Sequence, residues 1–157
     1  MPTDKHRRGF TLIEIMIVVT IILVIAAIAI PRIDAHRMLA NEVATVRMVQ
    51  TIHTAQAQFY AQFGRYAPAL AALGPPANGV PSESAAALVP GSLTSGKHSG
   101  YRITMTGGGN QYAISASPVE YLKSGRRSFF SDETGVLREH WGAEPADAGS
   151  QEAQSSR

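Results

Sequence analysis

Residues 5–31 read KHRRGFTLIEIMIVVTIILVIAAIAIP, and the fold turns on how this stretch is read. Phe10 to Ile30 is an almost unbroken apolar run. As a helix rising about 1.5 Å per residue it is about 30 Å long, enough to cross the hydrocarbon core of a bilayer. Between Phe10 and Pro31 the only charged residue is Glu14. An ionised carboxylate in lipid is costly, and a lone one calls for a partner.

Three plainer readings compete. A secretory signal peptide also has a basic start and an apolar core ending in small residues, and Ala27-Ile28-Ala29 could serve as its cleavage site. The apolar run is too long for that, and it holds an acid. A simple N-terminal anchor explains the length and the basic flank but leaves Glu14 without a purpose. A buried helix of a soluble domain would not be apolar on every face.

A basic leader, then GFTLIE, then an apolar helix with a proline about six turns on, resembles the N-terminal signature of type IV pilins and type II secretion pseudopilins. The resemblance implies cleavage by a prepilin peptidase between Gly9 and Phe10, with N-methylation of the new Phe10 terminus. It makes Glu14 and Pro31 assembly residues, the first a charge partner and the second a helix-bending position. Many members of this family also carry a glycine before that proline; Leu23 to Ile30 has none. The implied product is a homo-oligomeric helical filament. The implied partners are membrane lipid before assembly, an inner-membrane assembly platform, a motor ATPase and a secretin. The expected function is that of a structural pilus subunit for surface adhesion or motility. Alternatives within the class are a pseudopilin forming a periplasmic piston and a minor pilin for DNA uptake.

The 157-residue chain leaves room for one modest domain beside the helix. It has no cysteine, so the disulfide that closes the C-terminal loop of many pilins is not available. The formal net charge of +2 belongs to the leader. Without residues 1–9, Lys plus Arg falls from 14 to 11 and Asp plus Glu from 12 to 11, so the remainder is neutral. Basic residues beside an apolar span hold that end in the cytoplasm and face the C-terminal domain outward, which the resemblance implies is into the periplasm. The expected location is therefore the bacterial inner membrane for the precursor, and a surface pilus or periplasmic pseudopilus after assembly.

Beyond the membrane run, Met38, Val49, Ile52, Phe59, Tyr60 and Phe63 fall in one arc of a helical wheel, opposite Arg47, Thr51, Gln58 and Gln62. That arc is expected to pack on a sheet. Leu39, Val43 and Val46 form an adjacent stripe, either a wider core face or a contact with neighbouring helices. Gly64 is a natural helix terminator. Two short helical turns are expected in the loop that follows, at Pro68–Leu73 and Ser84–Leu88, the second capped by Ser82.

Alternation at Tyr101–Thr106 and Tyr112–Ser117 around GGGN predicts a hairpin, and a second strand pair is expected at Arg127–Asp132 and Val136–Trp141. The fold class is α+β: a long N-terminal helix packed on a small antiparallel sheet. The expected divisions are a leader (1–9), the helix (10–63, with 10–30 transmembrane and 31–63 amphipathic), a loop (64–100), the sheet (101–142) and a disordered tail (143–157).

No set of titratable residues converges on a catalytic pattern, so an enzyme, a cofactor and a metal centre are not expected. Gly91–His98 nearly matches a phosphate-binding loop but has His98 where Ser or Thr is needed. Asp132 and Glu133 could bind calcium, but two acids in a turn more often form a solvated turn, which is the expectation here. Lys123, Arg126 and Arg127, between Tyr121 and Phe129, form a candidate nucleic-acid patch; three charges give only a weak, salt-sensitive grip.

Overall fold

A computed structural model describes residues 10–153. The chain divides into two compact units after His36. One helix, α1 (Leu12–Phe63), supplies residues to both.

In the first unit α1 is apolar and exposed, with Leu12, Ile13, Met16, Leu23, Ile25 and Ile28 among its exposed side chains. Its β-branched residues are mediocre helix formers in water, but in lipid a helix is the only way to satisfy the backbone within one segment. Thr20 fits because its hydroxyl donates to the Met16 carbonyl at 2.8 Å. This helix is long and apolar enough to cross a membrane. Helical structure continues through Pro31.

The second unit is an α+β layer pair. The rest of α1 lies against a six-stranded antiparallel sheet whose strands follow in chain order. They are β1 (Lys97–His98), β2 (Tyr101–Gly108), β3 (Gln111–Pro118), β4 (Arg127–Asp132), β5 (Arg138–Trp141) and β6 (Gln151–Glu152). Met38, Glu42, Thr45, Val49, Ile52, Gln56 and Phe59 are buried at three- and four-residue spacing along one side of α1. The sheet meets them with Tyr101, Ile103 and Met105 from β2, Tyr112, Ile114 and Ala116 from β3, and Phe129 from β4. The apolar half of this stripe agrees with the wheel, apart from Tyr60, which is exposed. Leu39 and Val43 are exposed as well and do not widen the core, whereas Val46, the third residue of that stripe, is partly buried against it.

Gly64 ends the helix with φ +70°, its N–H on the Tyr60 carbonyl at 2.8 Å. Buried Gln56 then ties down the loop: its amide oxygen accepts from Ala67 N–H at 2.9 Å, and its NH2 donates to the Ala67 carbonyl at 3.2 Å. A 3-10 turn follows at Leu70–Leu73. The helical turn expected at Ser84–Leu88 is absent. Ala86 N–H and Leu88 N–H bond instead to the Ala72 and Leu73 carbonyls, both at 2.8 Å, and Ala87 between them has φ +57°. Backbone pairing and burial of Ala86 and Val89 override the weak helix preference of an alanine run. A four-residue helix, α2 (Gly91–Thr94), leads into β1.

Both expected hairpins form, β2–β3 through Gly109-Asn110 and β4–β5 through residues 133–137. The segment expected to be a disordered tail is ordered through Ala153. Ser128 donates to the Glu144 carbonyl at 2.8 Å, Ala146 is buried, and β6 pairs with β5. Asp147 supports the return turn by accepting from Gly149 N–H at 2.9 Å and from the Ser150 hydroxyl at 3.0 Å. Those turn bonds, with backbone pairing, substitute for the missing apolar content.

Candidate functional site

Glu14 is the third residue of α1, and its surroundings are local. Thr11 precedes the helix and takes the Glu14 N–H on its hydroxyl oxygen at 3.3 Å. The Glu14 carboxylate takes the Thr11 N–H at 3.4 Å. This reciprocal pair is a capping box, which satisfies two of the backbone donors that every helix start leaves free. The Thr-x-x-Glu spacing that announces it stands in the sequence at Thr11 and Glu14.

The box accounts for only part of the carboxylate. An ionised carboxylate has about four lone-pair sites, and a 3.4 Å bond uses one of them weakly. The side chain remains exposed and surrounded by exposed apolar residues, with Phe10, Leu12 and Ile13 before it and Ile15, Met16 and Ile17 after it. The positive end of the helix dipole favours an anion at this position. Such an arrangement can receive a cation presented from outside the chain. Phe10 is also exposed; Gly9 and the rest of the leader lie outside the described residues.

The three cations of the candidate nucleic-acid patch do not act together. Arg127 is half-buried and lies between two carboxylates. Its Nε and Nη2 donate to Glu42 Oε2 at 2.9 and 2.8 Å, and its Nη1 donates to Glu139 Oε2 at 2.8 Å. The guanidinium also lies over the rings of Phe129 and Trp141, at 5.5 and 5.1 Å from their centres. Burial opposes its charge, but the two carboxylates outweigh that penalty and raise its pKa. Lys123 is paired with Glu120 at 2.7 Å, which raises the lysine pKa and lowers that of the acid. Arg126 keeps an exposed side chain while its backbone N–H donates to Glu42 Oε1 at 2.8 Å. Arg127 is thus a structural clamp between α1, β4 and β5, joining residues 85 positions apart.

A second polar cluster was not visible in the sequence. Nδ1 of His53 on α1 lies 2.5 Å from the Tyr112 hydroxyl, and its Nε2 lies 2.8 Å from the Ser131 hydroxyl. Ser131 spends its one proton on the Val136 carbonyl at 2.8 Å, so it must accept from Nε2–H. Nδ1 is then the acceptor of a neutral imidazole, and Tyr112 donates to it. Burial pushes the Tyr112 hydroxyl up to about 12, which keeps it a donor. Burial also lowers the His53 pKa, with Asp132 pulling the other way. The result is a proton-ordered link from β3 through the helix to β4.

At the calcium candidate, the Asp132 carboxylate accepts from the Thr134 hydroxyl and its N–H, at 2.5 and 3.0 Å. Among the described residues no group of three or more His, Cys, Asp and Glu is placed to hold a metal.

Comparison with known proteins adds two findings. The family described as the prokaryotic N-terminal methylation motif matches residues 4–30. The type IV major pilin protein PilA of Myxococcus xanthus (strain DK1622) is 40% identical over 63 residues, 40% of this chain. That match spans 29% of the relative's length.

Proposed function

We propose that this chain, whose N-terminal stretch matches the methylation motif and a major pilin, is a type IV pilin-like protein and the structural subunit of a pilus. It is made as a precursor, cut between Gly9 and Phe10 by a prepilin peptidase, and methylated on Phe10. It is held in the inner membrane by residues 10–30 with its second unit in the periplasm. An assembly platform and a motor ATPase then move it into a helical filament that leaves the cell through a secretin.

The observation that carries this reading is Glu14, exposed on an otherwise apolar helix surface and only partly used by its own capping box. Cleavage after Gly9 turns the Phe10 nitrogen into an amine. A neighbour's amine beside Glu14 pairs two charges that are each costly in an apolar interior. Breaking a buried pair of this kind costs about 3–5 kcal/mol. A subunit in the wrong register leaves both charges unpaired, so the acid selects register. Cohesion comes from the exposed apolar surface of Phe10–Ile28, through helix packing. The matched relative is a major pilin, which favours a surface pilus over a periplasmic pseudopilus.

Electron microscopy of sheared surface fibres, with mass spectrometry of their subunits, tests the proposal. Fibres built from a chain beginning at methylated Phe10 are expected. Recovery of the chain only as an unassembled membrane protein that retains residues 1–9 would refute it.

A further inference from the structure

The two ends of the sheet carry complementary surfaces. At one end is the β3–β4 connection, residues 119–126, where Val119, Tyr121 and Leu122 are exposed beside Lys123 and Arg126. This loop is rigidly held: Asn41 donates to the Ser124 carbonyl at 2.9 Å, Ser124 Oγ bonds both Glu120 N–H and its carbonyl at 2.9 Å, and Arg126 N–H is fixed on Glu42. Leu122 is 57% exposed and has φ +64°, a conformation costly for a bulky side chain. A firmly built loop that displays an apolar residue at a strained position is shaped for contact.

At the other end is an open groove of about 480 Å³ lined by residues including Thr106, Gln111, Tyr112, Phe130, Asp132 and Glu133. It offers an aromatic wall and two acids. The loop carries two cations against one acid, Glu120, whose pairing with Lys123 is solvent-exposed and exchangeable at little cost.

We infer that residues 121–126 of one subunit dock in the groove around Phe130, Asp132 and Glu133 of a second copy of this chain. Within one copy residues 121–126 and the acids of the groove flank opposite ends of β4, whose six residues span about 20 Å, so the contact is made between copies. Contact between opposite ends is heterologous, and a heterologous contact that does not close into a ring propagates as an open helical assembly. The inference rests on the filament proposal but concerns the second unit alone, not the helix or Glu14.

The chain has no cysteine, so introduced thiols report cleanly. Lys123→Cys and Glu133→Cys are combined in the full chain as its sole copy, and sheared fibres are treated with a short bis-maleimide. A second pair, Leu122→Cys with Gln111→Cys, repeats the test at neighbouring positions. A ladder of covalent multimers from the double variants, with monomer from each single variant, is the expected result. Fibres of both double variants that run as monomer overturn the docking inference and leave the filament reading standing. Absence of fibres from the unmodified chain overturns the filament reading, and the docking inference with it.

Discussion

Helix α1 carries two glutamates, Glu14 and Glu42, whose surroundings differ in kind. Glu42 is 4% exposed and fully supplied from its own chain, by the Arg127 guanidinium and the Arg126 N–H. Glu14 is exposed on an apolar surface and, among the described residues, its carboxylate has the Thr11 N–H at 3.4 Å as its one hydrogen-bond donor. One acid closes a fold; the other leaves an open valence. On the proposed reading the same residue type on the same helix does opposite work: the cation for Glu42 comes from within the chain, and the one for Glu14 from a neighbouring subunit.

That contrast can be broken most completely at its source. Replacing Gly9 with leucine should block cleavage, so no Phe10 amine forms to meet Glu14, and fibre yield falls to background while the precursor accumulates in the membrane. Immunoblots showing mature-length subunit in this variant would remove the processing step from the account.

The internal acid responds differently. Arg127→Ala strands the Glu42 carboxylate in the interior and should cost about 3–5 kcal/mol, read from urea unfolding of the detergent-solubilised chain. Glu42→Gln keeps an acceptor for Arg126 N–H and should cost less. Equal losses in the two variants would mean that packing, not charge, dominates at this clamp.

The His53 link gives the second unit a pH dependence of defined sign. Burial lowers the folded-state pKa of His53 below its ordinary value of 6.5, so the unfolded chain binds the proton more readily. The stability this contributes is complete above 6.5 and drains away as pH falls through the lower folded value. Tyr112→Phe removes the donor to Nδ1 and should cost about 1 kcal/mol at neutral pH. Thermal melts between neutral and mildly acidic pH check both statements; a melting temperature that rises on acidification would contradict the neutral tautomer.

The smallest effect belongs to Thr11. Thr11→Ala removes one half of the capping box, for about 1 kcal/mol of helix-end stability. Subunits should still be processed and assembled, with fibres slightly easier to dissociate by detergent. A complete loss of assembly would show that Glu14 depends on its cap to present its carboxylate.

What the sequence disclosed and what it hid follow the same division between local and distant partners. The N-terminal stretch declares itself because its length, apolarity and lone acid are all contiguous. The two hairpins were legible from alternation and from turn residues at Gly107–Asn110 and residues 133–135. The Glu42–Arg127–Glu139 clamp was not, since its members meet only after the chain has folded back across 85 residues, and Arg127 reads locally as one cation among three. His53 was hidden for the same reason: on a helical wheel it lies beside the apolar arc, and its partners come from β3 and β4. The tail misled in the other direction, because low apolar content points to disorder while the Asp147 turn and pairing with β5 give it order.

Glu14, proposed as the receiver of another subunit's charge, is the residue on which filament assembly turns. The decisive measurement is the yield of sheared fibres from cells whose sole copy carries Glu14→Leu, a change that relieves the cost of a carboxylate in lipid and should leave insertion and leader removal intact. Processed subunit in the membrane with fibre yield at background is the predicted result; fibres at the unmodified level would contradict it.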